Sequence, residues 1–377
     1  MIPRIQTQNI EQWLGKGKAV IVIGPRQVGK TTLVRQLTQN LNKKTLWLTG
    51  DDPETRSLLD NISLARLQIL LGQNEVVVVD EAQRFTNAGL MLKLITDHLP
   101  QVQLFATGSS SLDIAAQTKE SLTGRKIEFN LYPLSFAEMC DHHGYLTEHS
   151  LLEQRMLYGY YPEVVLQDQT RAQKILGDLS DGLMYKDLLT LDQIKKPSLL
   201  LKLLQALALQ VGNEVRYLEV AQTIGADPLT VERYTDLLEA SFVLFKLPSL
   251  SRNARNEIKK GRKIYFYDNG IRNAILKNFS PLALRNDTGA LWENFLLSER
   301  MKRNAYSDYF CNTYFWRTTA QQEIDYIEEA NGRLQAFEFK WQSKKPARFP
   351  STFLENYPNS ETFLINNENF EAFVGLK

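Results

Sequence analysis

The chain has 377 residues, 44 basic and 43 acidic side chains, and a formal net charge of +1. This length predicts about two to four domains, and the balanced charge neither supports nor excludes a nucleic-acid partner. The two cysteines, Cys140 and Cys311, lie far apart, which excludes a disulfide framework and a zinc cluster and is typical of a reducing compartment. We find no signal-peptide core and no apolar stretch of membrane-spanning length, so we expect a cytoplasmic protein without a membrane partner.

A short apolar run followed by a glycine-rich loop dominates the first part of the chain. The run from Ala19 to Ile23 ends at Gly24, and Gly29-Lys30-Thr31 opens a helical segment. This is the complete G-x-x-x-x-G-K-[ST] spacing of a P-loop, in the strand–loop–helix context that the motif requires. Backbone N–H groups in such a loop, together with the helix dipole, favour phosphate oxygens. The motif therefore predicts ATP binding, against the weaker alternative of a simple glycine-rich turn.

The loop residues have different expected tasks. Lys30 is expected to reach the β- and γ-phosphates, and the Thr31 hydroxyl is expected to ligate the Mg²⁺ that accompanies ATP. The remaining predicted nucleotide-binding positions are Gly24, Pro25, Arg26, Gln27, Val28, Gly29 and Thr32.

Two further apolar runs predict parallel strands. The run from Thr45 to Thr49 is followed by a turn. The run that begins at Glu75 ends in Asp80 and Glu81. A continuous apolar run is typical of a parallel strand that is covered on both faces. We predict that Asp80 holds Mg²⁺ and that Glu81 orients and deprotonates the attacking water. Solvated acids at a strand end are the alternative.

A polar segment also follows the next predicted strand, Val102 to Gly108. Ligands of open α/β sheets bind at the carboxyl ends of the strands. Ser109 or Ser110 is therefore predicted to sense the γ-phosphate, and a helix N-cap is an equal alternative. Because helices and strands alternate over residues 1–132, we predict an α/β fold with a parallel, doubly wound sheet as the ATPase core.

Residues 133–196 predict a helical lid and linker, and residues 197–280 predict a winged helix-turn-helix. In the second region three helical patterns precede two strand patterns, which is the winged-helix order. The expected recognition helix is not basic, since it carries Glu232, Asp236 and Glu239. A basic loop could contact DNA phosphates, and a solvated hairpin of a protein-binding module is the alternative. The basic residues are Arg252, Arg255, Lys259, Lys260, Arg262 and Lys263.

Residues 281–377 contain a predicted hairpin that places two acids opposite each other. Asn331-Gly332 between alternating runs predicts a type I′ turn. The register of a two-residue turn then places Asp325 opposite Glu338, with Lys340 on the same face. Two like charges at this spacing repel by roughly 3 kcal/mol. Either Lys340 alone or a bridging Mg²⁺ would offset this repulsion, with Glu293 as a further carboxylate.

With these residues identified, the chain resembles a widespread bacterial and archaeal group that joins an AAA-type P-loop ATPase to a poorly characterised C-terminal domain. The supporting segments are Gly24 to Thr31, Asp80 to Gln83, Thr107 to Ser110, Leu122 to Arg125, Leu131 to Phe136 and Tyr185 to Asp187. The resemblance implies that Arg125 contacts the γ-phosphate, in cis or from a neighbouring subunit of a homo-oligomer. Typical members have two glycines before the Tyr-Pro of the lid, and Tyr160 replaces the second one here.

The C-terminal hairpin also resembles the PD-(D/E)XK nuclease core, a restriction-endonuclease-like fold. The matching residues are Glu293, Asp325, Glu338 and Lys340. The resemblance implies a Mg²⁺-dependent ATPase whose nucleotide state controls a winged-helix and nuclease-like half that acts on DNA. The alternative is an ATP-dependent switch whose inactive nuclease-like domain binds a protein partner.

Overall fold

The computed structural model describes residues 2–109, 122–182, 196–251, 261–342 and 348–376. The chain folds as two compact units. The N-terminal unit comprises residues 1–134 with 240–242, and the C-terminal unit comprises residues 135–239 with 243–377. Ser110, the segment from Tyr185 to Asp187, and the basic-loop residues Arg252, Arg255, Lys259 and Lys260 lie outside the described residues.

A parallel five-stranded sheet forms the centre of the N-terminal unit. Its strand order is β2-β3-β4-β1-β5, and every neighbouring pair is parallel. The strands are β1 (Ala19–Ile23), β2 (Thr45–Thr49), β3 (Val76–Asp80), β4 (Gln103–Gly108) and β5 (Lys126–Asn130). The apolar runs therefore form strands as predicted, and the α/β fold with a parallel sheet is confirmed.

Helices accompany this sheet. They are α1 (Ile5–Glu11), α2 (Lys30–Leu41), α3 (Pro53–Leu59), α4 (Leu64–Leu71) and α5 (Ala88–His98). Because β4 lies between β1 and β3, the end of β4 lies between the start of the P-loop and the acids Asp80 and Glu81 at the end of β3. The carboxyl ends of all five strands lie at the same end of the sheet. Open α/β folds bind their ligands at this end.

The C-terminal unit begins with helices and continues into a small antiparallel sheet. The first helices are α6 (Phe136–His143), α7 (Tyr145–Ser150), α8 (Leu152–Tyr158) and α9 (Gln169–Gly182). Then follow α10 (Pro197–Leu209), β6 (Glu214–Val215), α11 (Tyr217–Ile224), α12 (Pro228–Ala240), β7 (Leu244–Pro248) and β8 (Arg262–Phe266). The strand order is β6-β8-β7, and both pairs are antiparallel.

The last part of the chain is a mixed four-stranded sheet with helices. The order is β12-β11-β10-β9, with β11 and β12 parallel and the other pairs antiparallel. The strands are β9 (Asn312–Arg317), β10 (Glu323–Ala330), β11 (Arg333–Phe339) and β12 (Glu361–Ile365). The helices are α13 (Asn269–Ile275), α14 (Thr288–Tyr306), α15 (Ser351–Asn356) and α16 (Glu371–Val374).

The hairpin between β10 and β11 has the predicted turn and register. Asn331 and Gly332 both have positive φ, at 52° and 73°, as a type I′ turn requires. Tyr326 pairs with Phe337, so Asp325 and Glu338 are the next opposed positions. One detail differs from strict alternation: a β-bulge between Ile324 and Ile327 brings Ile324 into the cluster of Ile327 and Ala336.

Tyr160, the position at which the family resemblance implies a glycine, is buried and hydrogen-bonded. Tyr160 is 2% exposed, its hydroxyl donates to Glu148 at 2.7 Å, and its backbone N–H donates to Asp268 at 2.6 Å. The close approach falls on the preceding residue, since a Cβ on Gly159 would lie 2.0 Å from an Asp268 oxygen. The close approach in this segment is therefore that of the Asp268 side chain to Gly159, and the Tyr160 side chain is accommodated in the interior.

Within the described part of the chain, no helix is both long and apolar enough to cross a membrane.

Candidate nucleotide-binding site

The backbone of the P-loop depends on two glycines. A Cβ on Gly24 would lie 1.9 Å from the carbonyl oxygen of Leu131, because the chain after β5 pairs closely with the end of β1. Gly29 has a φ of 95°, a conformation that costs side-chain-bearing residues energy. The glycines of the motif are thus required by a close approach at one end of the loop and by backbone geometry at the other.

Arg4 supports the loop from outside the motif. Its guanidinium donates to the carbonyl oxygens of Val28 and Tyr132, both at 2.7 Å. Such charge-assisted bonds are stronger than neutral ones, so Arg4 ties the P-loop to the chain after β5. Arg4 was not predicted as a site residue, since no local pattern connects it with a loop more than twenty residues away.

Lys30 lies inside the curve of the P-loop. Its side chain is 5% exposed, and Nζ donates to the carbonyl oxygens of Gly24 and Pro25 at 2.9 and 2.8 Å. The ammonium charge is therefore concentrated where phosphate oxygens are expected. Within the same loop Val28 is buried and Arg26 is half-buried, whereas Gln27 and the helical Thr32 are exposed.

The Thr31 hydroxyl and the Asp80 carboxylate come together from α2 and β3. Thr31 Oγ1 lies 3.2 Å from each carboxylate oxygen of Asp80. The Thr107 hydroxyl, at the end of β4, also donates to Asp80. Hydroxyl and carboxylate oxygens are hard donors of the kind Mg²⁺ prefers, and Mg²⁺ sites in phosphate-binding enzymes commonly use one or two such protein ligands. The donor set therefore fits Mg²⁺ bound together with nucleotide phosphates.

Glu81 and Ser109 are linked through a residue that had no assigned role. Gln83 Nε2 donates to Glu81 Oε2 at 2.5 Å and to Ser109 Oγ at 3.0 Å. The backbone N–H of Glu81 donates to Thr107 Oγ1 at 3.2 Å. Glu81, the predicted water-activating acid, and Ser109, the predicted phosphate sensor, thus lie at the same end of the sheet as Lys30.

Arg125 lies at the opposite end of the sheet, where the parallel strands have their amino ends. It immediately precedes β5, its carbonyl oxygen accepts from the first residue of β1, and its side chain pairs with Asp97. The five residues of β1 separate this position from Gly24 by about 16 Å at ordinary strand rise. The expectation that Arg125 contacts the γ-phosphate in cis is therefore wrong, and a catalytic role would require a second copy of the chain.

The carboxylates of the C-terminal unit surround a buried lysine from β8. Lys263 is 0% exposed, and its Nζ lies 3.0 Å from Glu293, 2.5 Å from Glu323 and 3.9 Å from Asp325. Glu338 instead pairs with Lys340 at 3.4 Å, and the Lys340 side chain is 53% exposed. Lys340 is thus not the only counter-charge, and the main cation comes from a strand outside the hairpin.

Two of these acids hold protons unusually strongly. Burial raises the pKa of Glu293 to about 7, although Lys263 acts in the opposite direction. Burial, and then the charge of Asp325, raises the pKa of Glu338 to about 7. For Lys263 itself, burial lowers the pKa and the surrounding carboxylates raise it, with a net upward direction. The cluster therefore retains a charged ammonium throughout the neutral range.

This arrangement does not fit the metal site expected from Glu293, Asp325 and Glu338. Among the residues that the structure describes, no group of three or more His, Cys, Asp or Glu side chains could hold a metal ion. The Lys263 ammonium lies within ion-pair distance of Glu293 and Asp325, the position at which a bridging cation would be expected. The Asp325 carboxylate also accepts from the Phe339 backbone N–H at 2.9 Å.

Lys263 and Arg262 were predicted as basic-loop residues for DNA phosphates, and the structure places them in β8 instead. Lys263 is buried, and Arg262 lies over the ring of Tyr217 and 3.6 Å from Glu232. Neither side chain is therefore free to serve a phosphate backbone. On α12 the acids Asp236 and Glu239 likewise pair with Lys246, at 2.6 and 2.7 Å.

Three protein-family models match consecutive parts of the chain. A model described as an AAA domain matches residues 16–140. Two domains of unknown function follow, DUF8612 over residues 149–282 and DUF4143 over residues 288–374. The first match covers the P-loop, the Asp80-Glu81 pair and Ser109, so the N-terminal unit carries an AAA-type P-loop ATPase domain.

Similar proteins occur in bacteria and archaea. An uncharacterized protein of Mycobacterium tuberculosis is 26% identical over 334 residues, covering 87% of this chain and 71% of the relative. An uncharacterized protein of Haemophilus influenzae is 24% identical, covering 75% and 74% of the two chains. One from Methanocaldococcus jannaschii is 22% identical, covering 86% and 75%.

Among solved structures, a Walker-type ATPase of Pyrococcus abyssi is 14% identical to this chain. The match covers 73% of this chain and 96% of that one, with a TM-score of 0.49. The Holliday junction branch migration motor RuvB of Thermotoga maritima is 17% identical, covering 68% and 95%, with a TM-score of 0.31.

Proposed function

We propose that the protein binds ATP with Mg²⁺ at the P-loop of the N-terminal unit and hydrolyses it. The observation that carries this proposal is the Thr31–Asp80 pair beside Lys30. A threonine hydroxyl and a buried lysine at the start of α2 and an aspartate at the end of β3 converge where the parallel strands have their carboxyl ends. This is the set of charges and hard oxygen donors that a metal-bound triphosphate requires.

Each residue has a distinct part in the proposed reaction. Lys30 neutralises charge on the β- and γ-phosphates, and Thr31 and Asp80 hold Mg²⁺, which neutralises further charge on the phosphates when it is bound. Glu81 orients the attacking water and accepts its proton, as a general base placed within hydrogen-bond reach does. Ser109 donates its hydroxyl hydrogen to the γ-phosphate.

The direct test is phosphate release by the purified protein. Lys30→Ala should reduce nucleotide binding and bring turnover to background, because the buried cation of the loop is lost. Lys44→Ala is the matched control. This lysine is exposed and directly precedes β2, at the end of the sheet where the strands have their amino ends. Turnover by the Lys30 variant equal to that of the wild type would show that the hydrolysis does not take place at this site.

We infer further that residues 197–280 form a winged helix. The order of three helices and a hairpin, with β6 paired to β8, supports this proposal. The surface acids of α12 argue against insertion into a DNA major groove, because Asp236, which is 56% exposed, and Glu232, which is 44% exposed, would face phosphates.

A second candidate function concerns the C-terminal unit as a whole. The position of Lys263 among the carboxylates favours a protein-binding role of this unit over metal-dependent DNA cleavage. An internal ammonium already compensates the negative charge of these acids. We therefore propose an ATP-dependent switch whose C-terminal unit binds a protein partner. Incubating the protein with DNA in Mg²⁺ or Mn²⁺ tests this choice: no cleavage is expected, and cleavage that Asp325→Asn abolishes would reverse it.

A further inference from the structure

Gln83 occupies a central place in the nucleotide site although no motif assigns it a role. It lies in a short 3₁₀ helix, Ala82–Arg84, directly after Glu81. Its amide nitrogen contacts the Glu81 carboxylate at 2.5 Å and the Ser109 hydroxyl at 3.0 Å. One side chain thus joins the predicted general base at the end of β3 to the predicted phosphate sensor at the end of β4.

The donors and acceptors of these three groups match in one way. An ionised carboxylate only accepts hydrogen bonds, and a side-chain amide nitrogen has two hydrogens to donate. Gln83 can therefore give one hydrogen to Glu81 and the other to Ser109. Because the Ser109 oxygen accepts from Gln83, its own hydrogen is left to donate elsewhere, which is what a γ-phosphate contact requires.

The other end of the amide indicates that this orientation is imposed by the site. Gln83 Oε1 is buried and has no hydrogen-bond partner among the residues that the structure describes, which is unfavourable for a polar atom. Turning the amide over would bring this oxygen against the Glu81 carboxylate, where two acceptors would repel each other. A buried acceptor without a partner calls for a functional explanation, and the contacts of the nitrogen supply one.

The backbone of Glu81 is held separately from its side chain. Glu81 has a φ of 52°, an uncommon conformation for a non-glycine residue, and its N–H donates to the Thr107 hydroxyl at 3.2 Å. Thr107 thus holds the backbone where β3 ends, whereas Gln83 sets the direction of the carboxylate. Such uncommon backbone conformations concentrate at functional sites.

We propose that Gln83 is a positioning residue for ATP hydrolysis. Its amide holds the Glu81 carboxylate and the Ser109 hydroxyl in a fixed relation, so that the base and the phosphate donor act on the same phosphoryl group. This inference rests on the proposed ATPase function. It identifies Gln83 as the residue that aligns the general base Glu81 with the phosphate donor Ser109.

Three variants test the proposal in steady-state ATP hydrolysis. Gln83→Met keeps the length of the side chain and removes both donors, so kcat should fall by about 10–100-fold from misplacement of the base, with KM changed less than about 3-fold. Gln83→Glu replaces the donating amide with a second carboxylate, which repels the Glu81 carboxylate. Its kcat should fall at least as far as that of Gln83→Met, again with KM changed less than about 3-fold.

The control is Gln103→Met. Gln103 lies at the start of β4, at the opposite edge of the sheet, and its amide donates to the carbonyl oxygens of Lys18 and Leu104 at 3.3 and 3.2 Å. This variant loses an amide of similar burial without touching the site, so its kcat and KM should match those of the wild type.

The possible outcomes separate the inference from the proposed function. Wild-type turnover that depends on Lys30, with an unchanged kcat in Gln83→Met, would overturn the role of Gln83 and leave the ATPase intact. A lower kcat that follows a lower melting temperature, with KM raised to a similar extent, would make Gln83 merely structural. If Gln83→Met does not fold, the kcat and KM of the near-isosteric Gln83→Glu decide between the two roles. Absence of any Lys30-dependent turnover in the wild type would instead overturn the proposed function itself.

Discussion

The two units of this protein each contain a group of acids, and the charges of these acids are compensated differently. In the N-terminal unit Asp80 is held by two hydroxyls, Thr31 and Thr107, which are neutral groups. In the C-terminal unit Glu293 and Glu323 are held by a fully buried ammonium, Lys263. The hydroxyls that contact Asp80 bring no positive charge, whereas Lys263 brings one to Glu293 and Glu323.

This contrast shows why carboxylate patterns alone do not identify a metal site. Glu293, Asp325, Glu338 and Lys340 follow a nuclease-like spacing, yet the charge balance of the cluster depends on a lysine some sixty residues before the hairpin. The same number of acids can be a ligand site or a structural ion cluster. What decides between them is whether the compensating charge comes from solution or from the chain.

The largest expected effect concerns the N-terminal site. Glu81→Gln should keep ATP bound and reduce kcat by about 10²–10⁴-fold, because an amide cannot accept the proton of the attacking water. A nucleotide-binding assay beside a phosphate-release assay measures both properties. Glu75→Gln, at the exposed start of β3, is the control and should be unchanged. Loss of ATP binding without a separate defect in turnover would give Glu81 a structural role.

The next effect is on the stability of the C-terminal unit. Lys263→Met should destabilise it by about 3–5 kcal/mol, because removal of one partner leaves buried acids without compensation. Lys340→Met is the matched comparison and should cost about 0–1 kcal/mol, since an exposed ion pair contributes little. Denaturant unfolding of the two variants measures the difference. Equal losses would restore Lys340 as the principal counter-charge.

The pH dependence of stability gives a smaller effect in the same unit. The pKa values of Glu293 and Glu338 are raised from 4.5 to about 7, so the folded state binds more protons than the unfolded state between these values. Their contribution is complete below about pH 4.5 and is lost as the pH rises to about 7, on the order of a few kcal/mol. Glu293→Gln should flatten this part of the stability profile. An unchanged slope in the variant would contradict the shift assigned to Glu293.

The smallest expected effect is that of divalent metal on the C-terminal unit. With Lys263 in place, Mg²⁺ or Mn²⁺ should leave the melting of this unit unchanged in both the wild type and Asp325→Asn. Binding to the folded state alone would raise the melting temperature by mass action. Stabilisation of the wild type that Asp325→Asn removes would support the metal-bridged alternative and weaken the contrast between the two sites.

The parts that could be predicted from the sequence are those determined by neighbouring residues. The P-loop depends on glycines at fixed spacing, and the turn at Asn331-Gly332 determines the register that opposes Asp325 to Glu338. In both cases the physical cause lies within the motif. The buried strands β1 and β3 were also recognisable, because a parallel strand that is covered on both faces needs a continuous apolar run.

The parts that could not be predicted depend on tertiary packing. Arg4 and Lys263 reach their partners only after distant segments fold together, and Lys263 looked like a member of a basic loop. Its alternation with Tyr265 on one face of β8 was the available signal. Arg125 was misplaced because a glycine-arginine pair does not reveal at which end of a parallel sheet it will lie. Gln83 gave no signal beyond its position after Glu81.

The central claim is that the N-terminal acids take their cation from solution together with nucleotide. The most direct test is the equilibrium affinity for ATP, measured with Mg²⁺ and with a chelator, for the wild type and Asp80→Asn. We predict that Mg²⁺ tightens ATP binding to the wild type by about 10-fold or more and has little effect on Asp80→Asn, since one charged oxygen ligand is lost. ATP binding that is equally tight without Mg²⁺, or a Mg²⁺ effect that survives in Asp80→Asn, would contradict this account.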